Sequence, residues 1–289
     1  MKRPLAGVLT ALLMTGAALA GATEASAAPH TPTPTPVAAP DFAGTVALSN
    51  CSGSLIRTPG SLPEDPALVL SNGHCLETGM PAAGAVVVDQ PSSRTFDLLA
   101  ADGGEVGTVQ ATKISYATMT STDVSLYQLG SSYAEIEDAY GIEALDLAAE
   151  RPAQGTDISV VSGYWKRIYD CSIDGFAHQL READWTWDDS VRYATPGCEV
   201  IGGTSGSPVV DNTTGEVVAV NNTINESGGR CTLNNPCEVD QDGAVTVRPG
   251  VGYAQQTYGI AACVGEGNSI DLGRPGCELP KPTVLAPRS

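Results

Sequence analysis

Short runs of apolar and β-branched residues, broken by turn residues, fill the chain from Asp41 onward. Val, Ile, Leu, Thr and Tyr dominate the runs, whereas Gly, Pro, Asn or Asp lie between them. Many short strands without an alternating strand–helix rhythm favour an antiparallel sandwich or barrel. We predict strands at 45–49, 54–57, 67–70, 85–89, 106–116, 124–129, 158–162, 208–211 and 216–220.

Helical periodicity is scarce. The two candidates are residues 135–149 and residues 253–263 near the end of the chain, and the polar stretch 174–189 is interpreted as a surface excursion. About 240 folded residues fit either two small barrels or one large sandwich. No internal repeat stands out.

The N-terminus has the pattern of a secretory signal. Lys2 and Arg3 precede an apolar run over residues 5–20, and residues 25–27 read Ala-Ser-Ala. We predict a signal peptide over residues 1–27, a Pro/Thr-rich linker or pro-segment over 28–40, and one folded domain over 41–289. No run in the chain reaches the roughly 20 apolar residues that a membrane span requires. The expected location is extracellular.

Charge excludes one class of partner. The chain has 33 acidic and 15 basic side chains, a formal net charge of −18, so the phosphates of a nucleic acid would be repelled. The same charge also fits a solvated surface that keeps a protein soluble. We therefore expect no nucleic-acid partner. We also expect no membrane partner, since no apolar run is long enough, and a monomer.

Eight cysteines behind a secretory signal predict disulfides. Proximity in sequence suggests four bridges, and a rival pairing would join Cys198 to Cys231. The chain has no Cys-x-x-Cys pair and only three histidines, so we expect no metal site. The suggested bridges are Cys51–Cys75, Cys171–Cys198, Cys231–Cys237 and Cys263–Cys277.

Ser205 is the candidate nucleophile. It lies in segment 202–208, Gly-Gly-Thr-Ser-Gly-Ser-Pro, where flanking glycines allow a tight turn and close approach of a substrate backbone. Such a turn can direct the N–H groups of Gly203 and Ser205 at one point, as an oxyanion hole requires. A plain Gly/Ser turn is the alternative. An α/β-hydrolase elbow is disfavoured because Ser207 replaces its final glycine.

A serine hydroxyl needs a base, and histidine is the usual one. His74 follows the apolar strand 67–70 and precedes Cys75, which could hold it rigidly. His30 lies in the linker and His178 in the polar stretch, so both are weaker candidates.

The base needs an acid to orient it. Asp123 precedes the alternating, half-buried strand 124–129, where it could be shielded from water. A turn or strand-capping aspartate is the alternative interpretation. Asp97, Asp102 and Asp157 are competitors in less strongly patterned settings.

These segments, in this order, resemble the chymotrypsin-like serine peptidases. Segment 51–56, Cys-Ser-Gly-Ser-Leu-Ile, is similar to that family's Cys-Gly-Gly-Ser-Leu-Ile, and 71–75, Ser-Asn-Gly-His-Cys, to its Thr-Ala-Ala-His-Cys. Segment 122–126, Thr-Asp-Val-Ser-Leu, is similar to Asn-Asp-Ile-x-Leu. Segment 203–208 is similar to Gly-Asp-Ser-Gly-Gly-Pro and closer to the Gly-Asn-Ser-Gly-Ser-Pro of the bacterial glutamyl-endopeptidase branch.

The resemblance implies two antiparallel six-stranded β-barrels with a short C-terminal helix and a Cys51–Cys75 bridge. It implies a serine endopeptidase without cofactor, acting on polypeptides through Ser205, His74 as general base and Asp123 as its orienting acid. The alternative is a catalytically inactive secreted binding protein on the same scaffold.

Two departures limit the resemblance. Thr204 stands where the animal enzymes carry the aspartate that pairs with a newly cut N-terminus, so we expect no such activation switch. Asn221 stands where the glutamyl endopeptidases have a histidine, so glutamate specificity is not supported. The candidate substrate pocket comprises Glu199 or Val200 at its base and Asn221, Asn222 and Thr223 along one strand; a buried Glu199 would favour Arg or Lys.

Overall fold

The computed structural model describes residues 38–194 and 198–282. The predicted signal peptide and most of the predicted linker lie outside these residues, and both stay predictions. Within the described part of the chain, no helix is long and apolar enough to cross a membrane.

The first half of the domain forms a closed barrel of six strands in the order β1-β5-β6-β7-β3-β2, with β2 pairing back onto β1. Strand β4 pairs with β6 outside this ring, and β8 pairs with β2 in parallel. The elements are β1 (Thr45–Ala47), β2 (Ser52–Arg57), β3 (Pro66–Ser71), β4 (Val86–Pro91), β5 (Thr95–Leu99), β6 (Glu105–Thr118), β7 (Val124–Ser132), α1 (Tyr133–Tyr140) and β8 (Leu145–Asp146).

The second half forms another ring of six, in the order β11-β16-β13-β12-β9-β10, closed by pairing of β10 with β11. Strands β14 and β15 extend it from the edge of β10. The elements are β9 (Asp157–Ser162), β10 (Arg167–Glu182), β11 (Trp185–Tyr193), β12 (Pro208–Asp211), β13 (Val217–Ile224), β14 (Cys237–Val239), β15 (Val245–Val247), β16 (Gly252–Gln256) and α2 (Tyr258–Ala261). The predicted architecture of two antiparallel six-stranded barrels with a short C-terminal helix is confirmed.

Three local expectations were wrong. The helix expected over 135–149 is α1, which ends at Tyr140 because Gly141 adopts φ 67°, a left-handed C-cap. The helix expected over 253–263 begins as strand β16, and only the four residues of α2 are helical. The polar stretch 174–189 is the long hairpin of β10 and β11 rather than a surface excursion, because its charged side chains alternate with buried ones.

A shared apolar layer fixes the two barrels against each other. Each barrel also has its own core, but this layer draws buried side chains from both. Full burial of one aliphatic side chain stabilises a fold by about 1.5–3 kcal/mol, so the layer resists separation of the barrels. It includes Ile56, Leu68, Leu70, Tyr116 and Leu126 from the first barrel and Val161, Val210, Val217 and Val220 from the second.

Four disulfides cross-link the domain. The bridges are Cys51–Cys75, Cys171–Cys198, Cys231–Cys237 and Cys263–Cys277, the set that sequence proximity suggested, and the rival Cys198–Cys231 bridge is not formed. Cys51–Cys75 ties the start of β2 to the segment that carries His74. Cys171–Cys198 ties β10 to the segment that leads to Ser205.

Candidate active site

His74 and Asp123 meet at one end of the first barrel. His74 lies in the 3₁₀ turn Gly73–Cys75 that follows β3, and Asp123 immediately precedes β7. The Asp123 Oδ2 lies 2.7 Å from His74 Nδ1, and its Oδ1 accepts the backbone N–H of His74 at 3.0 Å. Asp123 is completely buried, whereas the His74 side chain is 18% exposed. The carboxylate therefore fixes the ring through Nδ1 and leaves Nε2 for another partner.

Electrostatics around His74 favour the protonated ring. Burial is the largest single influence and lowers the pKa of His74, but the charge and hydrogen bond of Asp123, together with the charge of Glu182, outweigh it. The net pKa lies above the ordinary value for histidine. An imidazole in this setting is a stronger base than one exposed to water.

Ser205 lies in the turn that precedes β12 in the second barrel. Gly206, with φ 78°, follows it, and an added Cβ there would overlap the Ser52 carbonyl. The Ser205 carbonyl accepts the N–H of Ser52 at 2.7 Å, so the turn is tied to the first barrel. The Ser205 hydroxyl donates to the carbonyl of Asn222 at 3.2 Å. Ser205 lines the same cavity as His74 and Asp123.

The two candidate oxyanion donors are available. Among the residues that the structure describes, neither the Gly203 N–H nor the Ser205 N–H donates a hydrogen bond, although neighbouring amides of the turn do. Gly203 adopts φ 91°, which a residue with a side chain rarely does. Free, preorganised N–H groups beside a serine hydroxyl are what stabilisation of a tetrahedral oxyanion requires.

Asn72 is a site residue that the sequence reasoning missed. Its buried side chain donates to the carbonyl of Asp123 at 2.8 Å and accepts the N–H of Gly206 at 2.6 Å. Its own carbonyl accepts the Ser125 hydroxyl at 2.8 Å. One amide thus bridges the acid of the first barrel to the serine turn of the second. The signal was present, because Asn72 stands where the similar family motif has alanine.

Thr204 is held by neutral hydrogen bonds. It is 2% exposed, and its hydroxyl donates to the Ile201 carbonyl at 2.6 Å. The Asn221 amide donates to both the hydroxyl and the carbonyl of Thr204, each at 3.0 Å, while Tyr193 donates to Asn221 at 3.0 Å. All of these hydrogen-bond partners of Thr204 and Asn221 are neutral groups.

The cavity beside Ser205 includes most of the predicted pocket residues. Val200, Asn221, Asn222 and Thr223 line it, but Glu199 does not. Glu199 is exposed, whereas its neighbours Cys198 and Val200 are both buried, so its side chain points away from theirs. Glu199 is therefore not a buried residue at the base of the pocket, contrary to the sequence-based expectation.

Besides Asp123, the acidic residues that line the cavity are Glu182 and Glu226. Glu182 is 5% exposed, and it accepts the Thr223 hydroxyl at 2.6 Å and the Asn234 N–H at 2.8 Å. Burial raises the pKa of Glu182, while those two hydrogen bonds and the charge of His74 act in the opposite direction. Among the described residues that line the cavity, none is Lys or Arg. The wall thus favours cationic or neutral side chains over anionic ones.

The paired barrels, with a serine turn and a histidine–carboxylate pair that line one cavity, are those of a chymotrypsin-like serine peptidase. Residues 51–220 match the trypsin-like peptidase domain, which is more than half of the 289-residue chain, and the chain belongs to this family. No curated protein sequence matches it.

Several solved structures are similar to this chain. The Rv3671c protease of M. tuberculosis, in its active form, is 19% identical over 80% of this chain and 89% of that one, with a TM-score of 0.44. The thermostable serine protease AL20, from an extremophilic microorganism, is 18% identical over 74% and 89%, with a TM-score of 0.42. A serine endoprotease from Yersinia pestis is 11% identical over 75% and 59%, with a TM-score of 0.41. These likenesses are low, so the interpretation of the site rests on the residues of this chain.

Proposed function

We propose that this peptidase is a secreted endopeptidase that hydrolyses polypeptides through Ser205, His74 and Asp123. The observation that carries the proposal is the 2.7 Å contact between His74 Nδ1 and the fully buried Asp123, in the cavity that Ser205 also lines. A buried carboxylate in this position holds the imidazole in the tautomer that can accept a proton at Nε2.

The proposed mechanism is acyl transfer. His74 Nε2 takes the proton of the Ser205 hydroxyl as its oxygen attacks the carbonyl carbon of a peptide bond, and the Gly203 and Ser205 amides stabilise the oxyanion. His74 then gives that proton to the leaving amine as the C–N bond breaks. Water, deprotonated by His74, releases the acyl group and regenerates the serine. No cofactor takes part.

The substrate class follows from the cavity. Glu182 and Glu226 disfavour an anionic side chain, and the Asn221 amide is occupied by Thr204 and Tyr193. The sequence resemblance to the glutamyl-endopeptidase branch therefore extends to the serine turn but not to a preference for glutamate. Secretion is supported by the four disulfides and by the basic and apolar N-terminal pattern.

Covalent labelling with a fluorophosphonate tests the proposal. The reagent needs an activated serine and an oxyanion hole, so the native wild-type chain should be labelled, and peptide mapping should place the label on Ser205. Ser205→Ala and heat-unfolded wild type should both stay unlabelled. An unlabelled native wild type would instead support an inactive binding protein on a peptidase scaffold, and equal labelling of Ser205→Ala would exclude Ser205 as nucleophile.

On the acid side, the pH profile of kcat/KM should follow the protonation of His74. A protonated His74 cannot accept the serine proton, so kcat/KM should fall as the pH decreases through its pKa, with a midpoint above the ordinary value of about 6.5. Because the charge of Glu182 raises the pKa of His74, Glu182→Gln should move that midpoint to lower pH. The measurement is kcat/KM against pH for one uncharged peptide.

Glu137→Gln is the matched control. It makes the same chemical change on the exposed face of α1, outside the cavity, and should leave the midpoint in place. A midpoint that is the same in Glu182→Gln and wild type, or that moves upward, would contradict the electrostatic coupling of Glu182 to His74.

A further inference from the structure

Trp165 makes a hydrogen bond to the turn that carries Ser205. It lies in the turn between β9 and β10, and its indole Nε1 donates to the carbonyl of Gly202 at 2.9 Å. The residue is 48% exposed, so nearly half of its surface still faces solvent. The contact joins this turn to the peptide that precedes the candidate oxyanion donor Gly203.

The orientation of one peptide group follows from that contact. In a trans peptide the carbonyl and the N–H point in opposite directions. Because Trp165 holds the Gly202 carbonyl on its own side, the N–H of Gly203 faces away from the indole. Among the described residues this N–H has no acceptor, which leaves it free for a substrate oxygen.

The peptide group between Gly202 and Gly203 can rotate its plane with little steric resistance. It joins Gly202 to Gly203, and neither residue has a Cβ to resist rotation of the peptide plane. A reversed plane would put a carbonyl oxygen where the oxyanion needs a donor. The two glycines therefore leave this peptide plane able to reverse, and a contact from outside the turn can favour one orientation.

The turn that carries Trp165 is itself anchored. The Tyr164 N–H donates to the Ser52 hydroxyl at 3.1 Å, and the Trp165 N–H donates to the Ser162 hydroxyl at 3.3 Å. The rings of Tyr164 and Trp165 pack edge to face, with centroids 5.0 Å apart. A Cβ at Gly203 would approach Trp165 Nε1 to 2.8 Å, so the indole lies directly against the peptide that it holds.

We propose that Trp165 is a positioning residue that keeps the Gly203 N–H directed into the oxyanion hole. This inference rests on the proposed function, because it assigns a role within the same acyl transfer. Trp165 contacts no reacting atom and acts only through the Gly202 carbonyl.

Trp165→Phe tests the proposal, since it keeps an aromatic ring and removes the N–H. We expect kcat to fall about 10-fold, since a hydrogen bond of ordinary strength biases a two-state peptide by about that factor, whereas complete loss of an oxyanion donor costs about 10²–10³-fold. KM should change by less than about twofold, because ground-state binding does not use the donor. Active sites are titrated with fluorophosphonate, so a loss of folded protein does not alter kcat.

A second readout separates positioning from general support of the fold. A peptide aldehyde forms a tetrahedral adduct whose oxygen occupies the oxyanion hole, whereas the matching product peptide does not. Trp165→Phe should weaken the aldehyde by about the same factor as kcat and leave the product peptide unaffected. Lys166→Gln is the control in the same turn. It breaks only the exposed ion pair with Glu105, at 3.1 Å, and should leave both affinities unchanged.

Two results would overturn the assignment. One is a Trp165→Phe variant with the kcat and aldehyde affinity of wild type. The other is a loss of kcat in which the aldehyde and the product peptide weaken equally, which would make Trp165 a structural residue only. Failure of the wild type to react with fluorophosphonate would instead remove the proposed function, so the two failures are distinguishable.

Discussion

Peptide hydrolysis by Ser205→Ala is expected to have a kcat about 10⁶-fold below that of wild type. The alanine offers no oxygen to form the acyl bond, so the covalent route is lost altogether. The variant can still bind the peptide and still has the free backbone N–H groups at positions 203 and 205. These features alone accelerate such a reaction about 10³–10⁴-fold over water. The measurement is product release from one peptide over days, quantified by chromatography, with active wild type diluted to the same signal as a contamination standard.

His74→Ala supplies the matched comparison. If His74 serves only to activate Ser205, its loss should cost about as much as the loss of the serine, and the double variant should cost no more than either single one, because groups that act as a unit are not additive. Losses that multiply in the double variant would contradict a shared mechanism. A Ser205→Ala variant that keeps more than about 10⁻³ of the wild-type kcat would point to another nucleophile.

Asp123→Asn is expected to lower kcat by about 10⁴-fold with the fold intact. The reason lies in the two donors that face this side chain: Oδ2 faces His74 Nδ1, and Oδ1 accepts the His74 backbone N–H. An asparagine must turn its NH₂ toward one of them. Facing the ring, it imposes the tautomer with the proton on Nε2, which cannot accept a proton from Ser205. If the NH₂ instead faces the His74 backbone N–H, two donors oppose each other and that hydrogen bond is lost.

The control for this variant is Asp102→Asn. Asp102 lies in an exposed turn outside the cavity, where its carboxylate accepts the N–H of Gly104 at 2.8 Å, and its replacement should change kcat by less than about twofold. Thermal unfolding of both variants, followed by circular dichroism, checks that the folds are equivalent. An Asp123→Asn enzyme within about tenfold of wild-type kcat would exclude Asp123 as the orienting acid.

The parts of the site that the sequence predicts are those carried by local patterns. His74 follows an apolar strand and Asp123 precedes an alternating one, so each is placed by its own neighbours, and the structure brings them into contact. The strands of the barrels that alternate apolar and polar residues were predicted in the same way. Such patterns are local, and burial of one face of a strand is enough to produce them.

The parts that were missed depend on contacts between distant segments. Glu182 reaches the cavity only because β10 and β11 form a long hairpin, whose polar composition looks like a loop. Asn72 and Trp165 act on peptides 134 and 37 positions away along the chain. No pattern of neighbours encodes such a contact. Only the departure of Asn72 from the similar motif hinted at it.

Two hydrogen bonds join the barrels at the candidate active site, one between Asn72 and Gly206 and one between the backbones of Ser52 and Ser205. His74 and Asp123 belong to the first barrel and Ser205 to the second, and these contacts set the three in register. A chain with only one folded barrel would hold either His74 or Ser205 in place, but not both. If these three residues act as proposed, peptide hydrolysis therefore requires both barrels to be folded and docked together.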